Sequence, residues 1–117
     1  MTPKILLIIS SCSLAGALGC ASSTQPPNSQ WAAAQAEVGR AEASGAANVP
    51  DAKLHLQRAR EDLSMSREAM INDDNVRATT LSDLAQTEAR LARSLTRRAT
   101  AENEARQVEE DSQKPNP

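Results

Sequence analysis

The chain has 117 residues, 39% of them hydrophobic and 24% charged, with 13 Lys and Arg against 15 Asp and Glu. That leaves room for one small domain, argues against a multidomain enzyme, and provides no basic surplus for holding nucleic acid. A single Trp with no Phe or Tyr removes the rings that stack on bases and most of the material of a β core, so an alanine-rich, all-α chain is expected.

Lys4 and the free amino group precede Ile5-Leu6-Leu7-Ile8-Ile9, and small residues continue the run to Ala17-Leu18-Gly19-Cys20. This is the order of a secretory signal, and residues 5–19 fall short of the roughly 20 apolar residues that span a bilayer. Export with cleavage is therefore favoured over a permanent transmembrane helix. The end of the run resembles a bacterial lipobox. Gly19 and Cys20 match it, while Ala17 and Leu18 depart from its usual Leu and small residue. The resemblance implies signal cleavage between Gly19 and Cys20. It also implies a covalent diacylglycerol on the Cys20 sulfur and an acyl chain on the freed amino group. Cys12 offers a second such box, but cleavage there would leave too short an apolar region. With Cys12 removed and Cys20 lipidated, no disulfide is expected. Ala21, rather than Asp, after the cysteine implies the periplasmic face of the outer membrane in a two-membrane envelope. Each buried methylene contributes about 0.8 kcal/mol, so several acyl chains hold a protein almost permanently.

Residues 1–19 are thus read as signal, and the loss of Lys4 with them leaves the mature chain one charge more negative. Neither nucleic acid nor anionic lipid is attracted electrostatically. Residues 20–29, with Ser22-Ser23-Thr24 and Pro26-Pro27, read as the lipidated cysteine and a flexible tether. A helical domain is expected over 30–111 and a disordered tail over 112–117.

Within the domain, Asn28 or Ser29 can cap a first helix to about Ser44, with Trp31, Ala34, Val38 and Ala41 on one face. Gly45 stops it, residues 46–49 connect, and Pro50 suits the first turn of a second helix to about Ile71. Ala52, Leu56, Ala59, Leu63, Ser66 and Met70 form its apolar seam, with Leu54 and Met65 widening it toward the first helix. Asn72-Asp73-Asp74-Asn75 is the next turn, with Asp73 or Asp74 as cap. A third helix starts near Asn75, and its face is expected to be Ala78, Leu81, Leu84 with Ala85, Glu88, Leu91 with Ala92, Leu95 and Ala99. The short turn predicts an antiparallel hairpin in which Leu56, Leu63 and Met70 meet Leu81, Leu84, Leu91 and Leu95. The fold class is thus all-α: a small antiparallel bundle, a helical hairpin plus a shorter N-terminal helix, with a long C-terminal helix. Beyond Leu95, Arg98, Glu102, Arg106 and Glu110 recur every four residues. They predict a solvated, self-paired helix that outreaches the second by roughly 20 Å.

Residues that carry chemistry are sparse. His55 is the only histidine, so no histidine pair can hold a metal, and a rim position is expected for it. Residues 72–75 lack the spaced oxygens and terminal Glu of an EF-hand loop. Glu109-Glu110-Asp111 is read as a solvated run opposing the helix dipole. Glu88 is expected at a seam edge, paired with Arg58, Arg60, Arg90 or Arg93. Trp31 either caps the bundle or rests at the lipid interface, with packing favoured. No glycine-rich phosphate loop or nucleophile elbow occurs. No cofactor, metal or small-molecule substrate is expected, and neither is an enzyme.

The chain also resembles the DUF4398 family of bacterial envelope lipoproteins. The features that carry the resemblance are the lipobox at Gly19-Cys20, then Ala41-Glu42-Ala43-Ser44-Gly45-Ala46, Pro50, the Leu56/Ala59/Leu63 ladder, Asp74-Asn75 with Ala78, and Glu88-Ala89-Arg90-Leu91-Ala92. It covers residues 31–99. Where the family pattern leads one to expect Gly-Asp at the turn, this chain has Asp73-Asp74. The resemblance implies a helical periplasmic lipoprotein and supplies no catalytic residue. Some similar proteins carry a peptidoglycan-binding OmpA-like domain after the helices; none is expected here, nor is peptidoglycan binding. The expected function is a non-catalytic structural or adaptor lipoprotein of the cell envelope, partnered by the membrane and by another envelope protein. The alternative is a self-associating coiled-coil spacer.

Overall fold

The computed structural model describes residues 25–114. Three α-helices, α1 (Asn28–Ala43), α2 (Pro50–Ile71) and α3 (Asn75–Gln113), follow one another, with a single 3-10 turn (Ala46–Asn48) between the first two. α2 and α3 form the antiparallel hairpin, and α1 packs against both of them. The chain is all-α, as its composition requires.

The helix ends follow from local chemistry. Pro27, not Asn28 or Ser29, occupies the N-cap position of α1, and no side chain caps it. Its carbonyl accepts from the Trp31 amide at 2.9 Å. Pro27 has no amide of its own to satisfy, and the Asn28 amide donates to the Pro26 carbonyl at 2.8 Å. At the other end Gly45 takes φ 83°, the left-handed conformation that stops a helix cheaply only at glycine. Pro50 opens α2 at its first turn, where the missing amide would be unpaired in any case.

Between α2 and α3, Asp74 is the cap, its side chain accepting from the Arg77 amide at 3.2 Å. Asp73 stands at φ 57°, a conformation that aspartate tolerates and glycine prefers. That accounts for the glycine expected there from the family pattern.

Packing follows a 3.5-residue repeat, but largely through small side chains. On α3 the inward residues are Asn75, Ala78, Ser82, Ala85, Ala89, Ala92 and Thr96, at alternating steps of three and four. Facing them on α2 are Ala52, Leu56, Ala59 and Ser66, all buried. Ala34, Val38 and Ala41 of α1 complete the core, and Ala46 of the 3-10 turn is fully buried beside them. Small side chains let the backbones approach closely, so dispersion between main chains replaces much of the usual leucine packing.

This revises the expected hairpin seam. Leu56 and Leu81 are buried, and Leu63, Leu95 and Met70 are half-buried against the core clusters. Leu84 and Leu91, however, are 47% and 40% exposed. The alanine row faces α2 instead, because the row of seam positions beginning at Ala78 continues through Ser82 and Ala85 rather than Leu81 and Leu84. Leu54 and Met65 likewise stand exposed instead of reaching α1. α3 runs to Gln113, so Ser112 and Gln113 are helix rather than tail. Residues 115–117 and the signal, lipidation site and start of the tether lie outside the described residues.

Candidate functional site

Every helix interface carries polar contacts between side chains. Glu37, only 8% exposed, sits on the inward side of α1 between Ala34 and Ala41. It receives Arg40 at 2.6 Å from its own helix and Arg93 at 2.8 Å from α3, with Arg90 at 3.9 Å. Burial pushes the Glu37 carboxyl up, but the Arg93 hydrogen bond and the charges of Arg40 and Arg93 outweigh it and hold the carboxyl below its usual range. Reading only the apolar residues of α1 passes over Glu37. The signal was its place between Ala34 and Ala41 on the same arc, with a second basic cluster at Arg90 and Arg93.

Between α1 and α2, Arg60 donates twice to Glu42, at 2.8 and 2.6 Å. Trp31 lies half-buried at the same interface. Its indole N–H reaches the Leu63 carbonyl at 3.4 Å, and the Arg67 guanidinium stands 5.7 Å over its ring. The ring thereby caps the bundle, in agreement with the packing alternative. Trp31, Arg67, Met70 and Ile71 line an open groove of about 440 Å³ with Pro26 and Asn28.

Between α2 and α3, the Ser66 hydroxyl donates to the Ala78 carbonyl at 2.8 Å and lies 2.8 Å from the Ser82 hydroxyl, both serines fully buried. Further along, His55 Nδ1 meets Glu88 Oε2 at 2.5 Å, the two side chains 21% and 24% exposed. Glu88 is therefore at the seam edge as expected, but its partner is the histidine rather than any of the four arginines. An antiparallel hairpin sets Glu88 across from the N-terminal part of α2, and there His55 occupies the flank of the seam. Asp62, one heptad after His55 on the same side of α2, has its carboxyl pushed up by burial and by the charges of Glu88 and Glu61.

A histidine–carboxylate pair can exchange a proton, yet neither member lines the Trp31 groove. No cluster of three or more His, Cys, Asp or Glu able to hold a metal occurs among the described residues. Among them, too, no helix is long and apolar enough to cross a membrane.

The C-terminal part of α3 differs from everything before it. Residues 101–114 are all exposed. Of the anticipated four-residue pairs, Arg98 and Glu102 meet at 2.7 Å, while Arg106 bonds Asn103 and Lys114 reaches Asp111 at 2.6 Å. Glu102 still lies beside Val49 and Asp51 at the start of α2. The arm beyond it is about 16 Å long at 1.5 Å per residue.

Comparison with known families matches residues 29–108 to DUF4398, described as a domain of unknown function. The chain belongs to the DUF4398 family. The DUF4398 domain takes in nearly all of α1, the whole of α2 and α3 as far as Val108, so most of the exposed arm is part of it. No curated protein and no solved structure matches the chain.

Proposed function

We propose that this chain is a non-catalytic structural or adaptor module of the bacterial cell envelope. In this reading, lipid on Cys20 anchors it to the periplasmic face of the outer membrane. Its work is to present helical surfaces to other proteins. The observation that carries the reading is the arm of α3, which is helical to Gln113 yet exposed from Ala101 onward. A helix whose residues are all exposed over three turns has little tertiary packing to hold it there, and a partner can supply that packing.

The anchor is supported by Lys4, the apolar run and Gly19-Cys20, since several acyl chains give near-permanent attachment without a spanning helix. Labelled palmitate is expected to enter the full chain and to be lost in Cys20→Ala. Crosslinking in intact cells, with mass identification, is expected to capture an envelope protein, and capture should weaken in Arg106→Ala/Glu110→Ala. Unchanged capture by that variant would remove the arm from the proposal. Self-association is the second reading, and the exposed Leu84 and Leu91 favour it.

A further inference from the structure

With α1 lying on one side of the α2–α3 hairpin, the opposite groove is left open. Along it α3 carries Leu81, Leu84, Glu88, Leu91 and Leu95 at steps of three, four, three and four. That is the repeat of a coiled-coil seam, set beside the alanine seam that α2 already fills. Leu84 and Leu91 are 47% and 40% exposed, and Met65 on the same side of the hairpin is 39% exposed. On the outer flank of the stripe stand Thr80, Thr87 and Ser94, small and uncharged. The one charge in the stripe, Glu88, is already engaged by His55 at 2.5 Å. Leu81 is buried and Leu95 half-buried against their own chain's core, so the uncovered apolar surface centres on Leu84 and Leu91, two large leucines either side of the engaged Glu88.

We infer that this groove binds the same groove of a second copy, the two α3 helices lying antiparallel about a two-fold axis at Glu88. The stripe reads almost identically in both directions from that residue: leucine seven positions before and seven after, leucine four before and three after. Antiparallel pairing sets Leu84 against Leu91 of the other copy, with Leu81 and Leu95, already packed in their own chain, at the margins of that contact. One patch thus serves both partners, as a closed two-fold interface requires.

The ends of the groove agree with the same register. Past Leu95, a depression of about 160 Å³ is lined by Asp51, Arg98 and Glu102. At the opposite end another, of about 140 Å³, is lined by Glu68, Asp74 and Arg77. Each holds two carboxylates and one guanidinium. The two-fold brings Arg77 of one copy over the depression holding Asp51 and Glu102 of the other. It likewise brings Arg98 over the one holding Glu68 and Asp74.

Size is adequate as well. The stripe spans about 22 Å at 1.5 Å per residue, and two helices side by side are about 20 Å wide. That footprint is about 440 Å² per copy, the size of a small, reversible interface. The inference deepens the structural reading given above and rests on its claim that helical surfaces are what the chain offers; it does not require the anchor.

The test uses the full chain with both native thiols removed, Cys12→Ala and Cys20→Ala, so that its result is independent of lipidation. Two tagged forms, one Thr80→Cys and the other Ser94→Cys, are co-expressed and treated in cells with a short bismaleimide. The expected product is a mixed 80–94 dimer at least tenfold more abundant than the 80–80 product. Adding Leu84→Lys/Leu91→Lys, both at exposed positions, should abolish it while far-UV circular dichroism of the purified variant stays helical. Equal 80–80 and 80–94 products, linkage unaffected by the lysines, or linkage only to a different protein would each overturn the proposal. Absence of palmitate from the chain with Cys20 intact, alongside a normal 80–94 product in the test chain, would overturn the anchor alone.

Discussion

Two rows of residues run side by side along α3, and they have opposite fates. Ala78, Ser82, Ala85, Ala89 and Ala92 are completely buried, whereas Leu84 and Leu91, among the largest apolar side chains on the helix, remain 47% and 40% exposed. Hydrophobic transfer taken residue by residue favours the reverse, because a leucine brings more apolar area out of water than an alanine. What decides is distance. Small side chains allow two helices to pack closely, and the larger row is left at the margin of that contact. The core so formed is thin: Leu56, Ser66 and Ser82 are the largest fully buried side chains. Much of its specificity must then come from the polar clamps, since an alanine seam alone defines register weakly.

The sharpest way to break the contrast is to put a large side chain in the small row. Ala89→Leu, at a fully buried position, should destabilise the fold by about 3 kcal/mol through overpacking, read as a fall in the urea midpoint.

Removing the α1–α3 clamp comes next. Glu37→Ala leaves Arg93 facing a half-buried site without its carboxylate, and a loss of about 1–3 kcal/mol is expected in the same measurement. The pH dependence has a definite sign. Because the folded-state carboxyl of Glu37 lies below its ordinary value of 4.5, its contribution is present above that value and fades as pH falls through the folded value. Glu37→Gln should therefore lose less stability than the parent on acidification below about pH 4.5. Asp62 works the other way. Its carboxyl is raised, so its ionised form costs stability at neutral pH, and Asp62→Asn should be neutral or slightly stabilising there.

A smaller change sharpens the turn that sets the hairpin. Asp73 at φ 57° carries a side chain in left-handed backbone, and Asp73→Gly should raise stability by about 0.5–1 kcal/mol, visible in thermal melts. Smallest of all is Leu84→Ser. Measured dilute enough for the chain to be monomeric, it should change the unfolding free energy by no more than about 0.5 kcal/mol. A large loss there would mean that the leucine row belongs to the monomer core after all.

Much of this architecture was legible along the chain. Gly45, Pro50 and Asp74 punctuate the helices where their backbone chemistry demands, and the alternation of three and four announces helices that pack in a seam. Choosing between two seams was harder. Leu81, Leu84, Leu91 and Leu95 satisfy the same spacing as the alanine row, and the hydrophobicity of leucine made them the natural choice. Glu37 and His55 were obscured for a related reason: the partners of a buried charge lie on other helices, and sequence spacing within one helix does not bring Arg93 to Glu37 or Glu88 to His55.

By itself, then, the sequence determined the all-α class, the order of the helices, their inner ends at Gly45, Pro50 and Asp74, and the antiparallel hairpin, because capping, φ restriction and periodicity act within a few residues. Only the tertiary structure decided which face of α3 is buried, which ion pairs close the interfaces, and that an apolar stripe is left uncovered. Those outcomes depend on how closely three helices approach one another, and that distance is set by all of their side chains together.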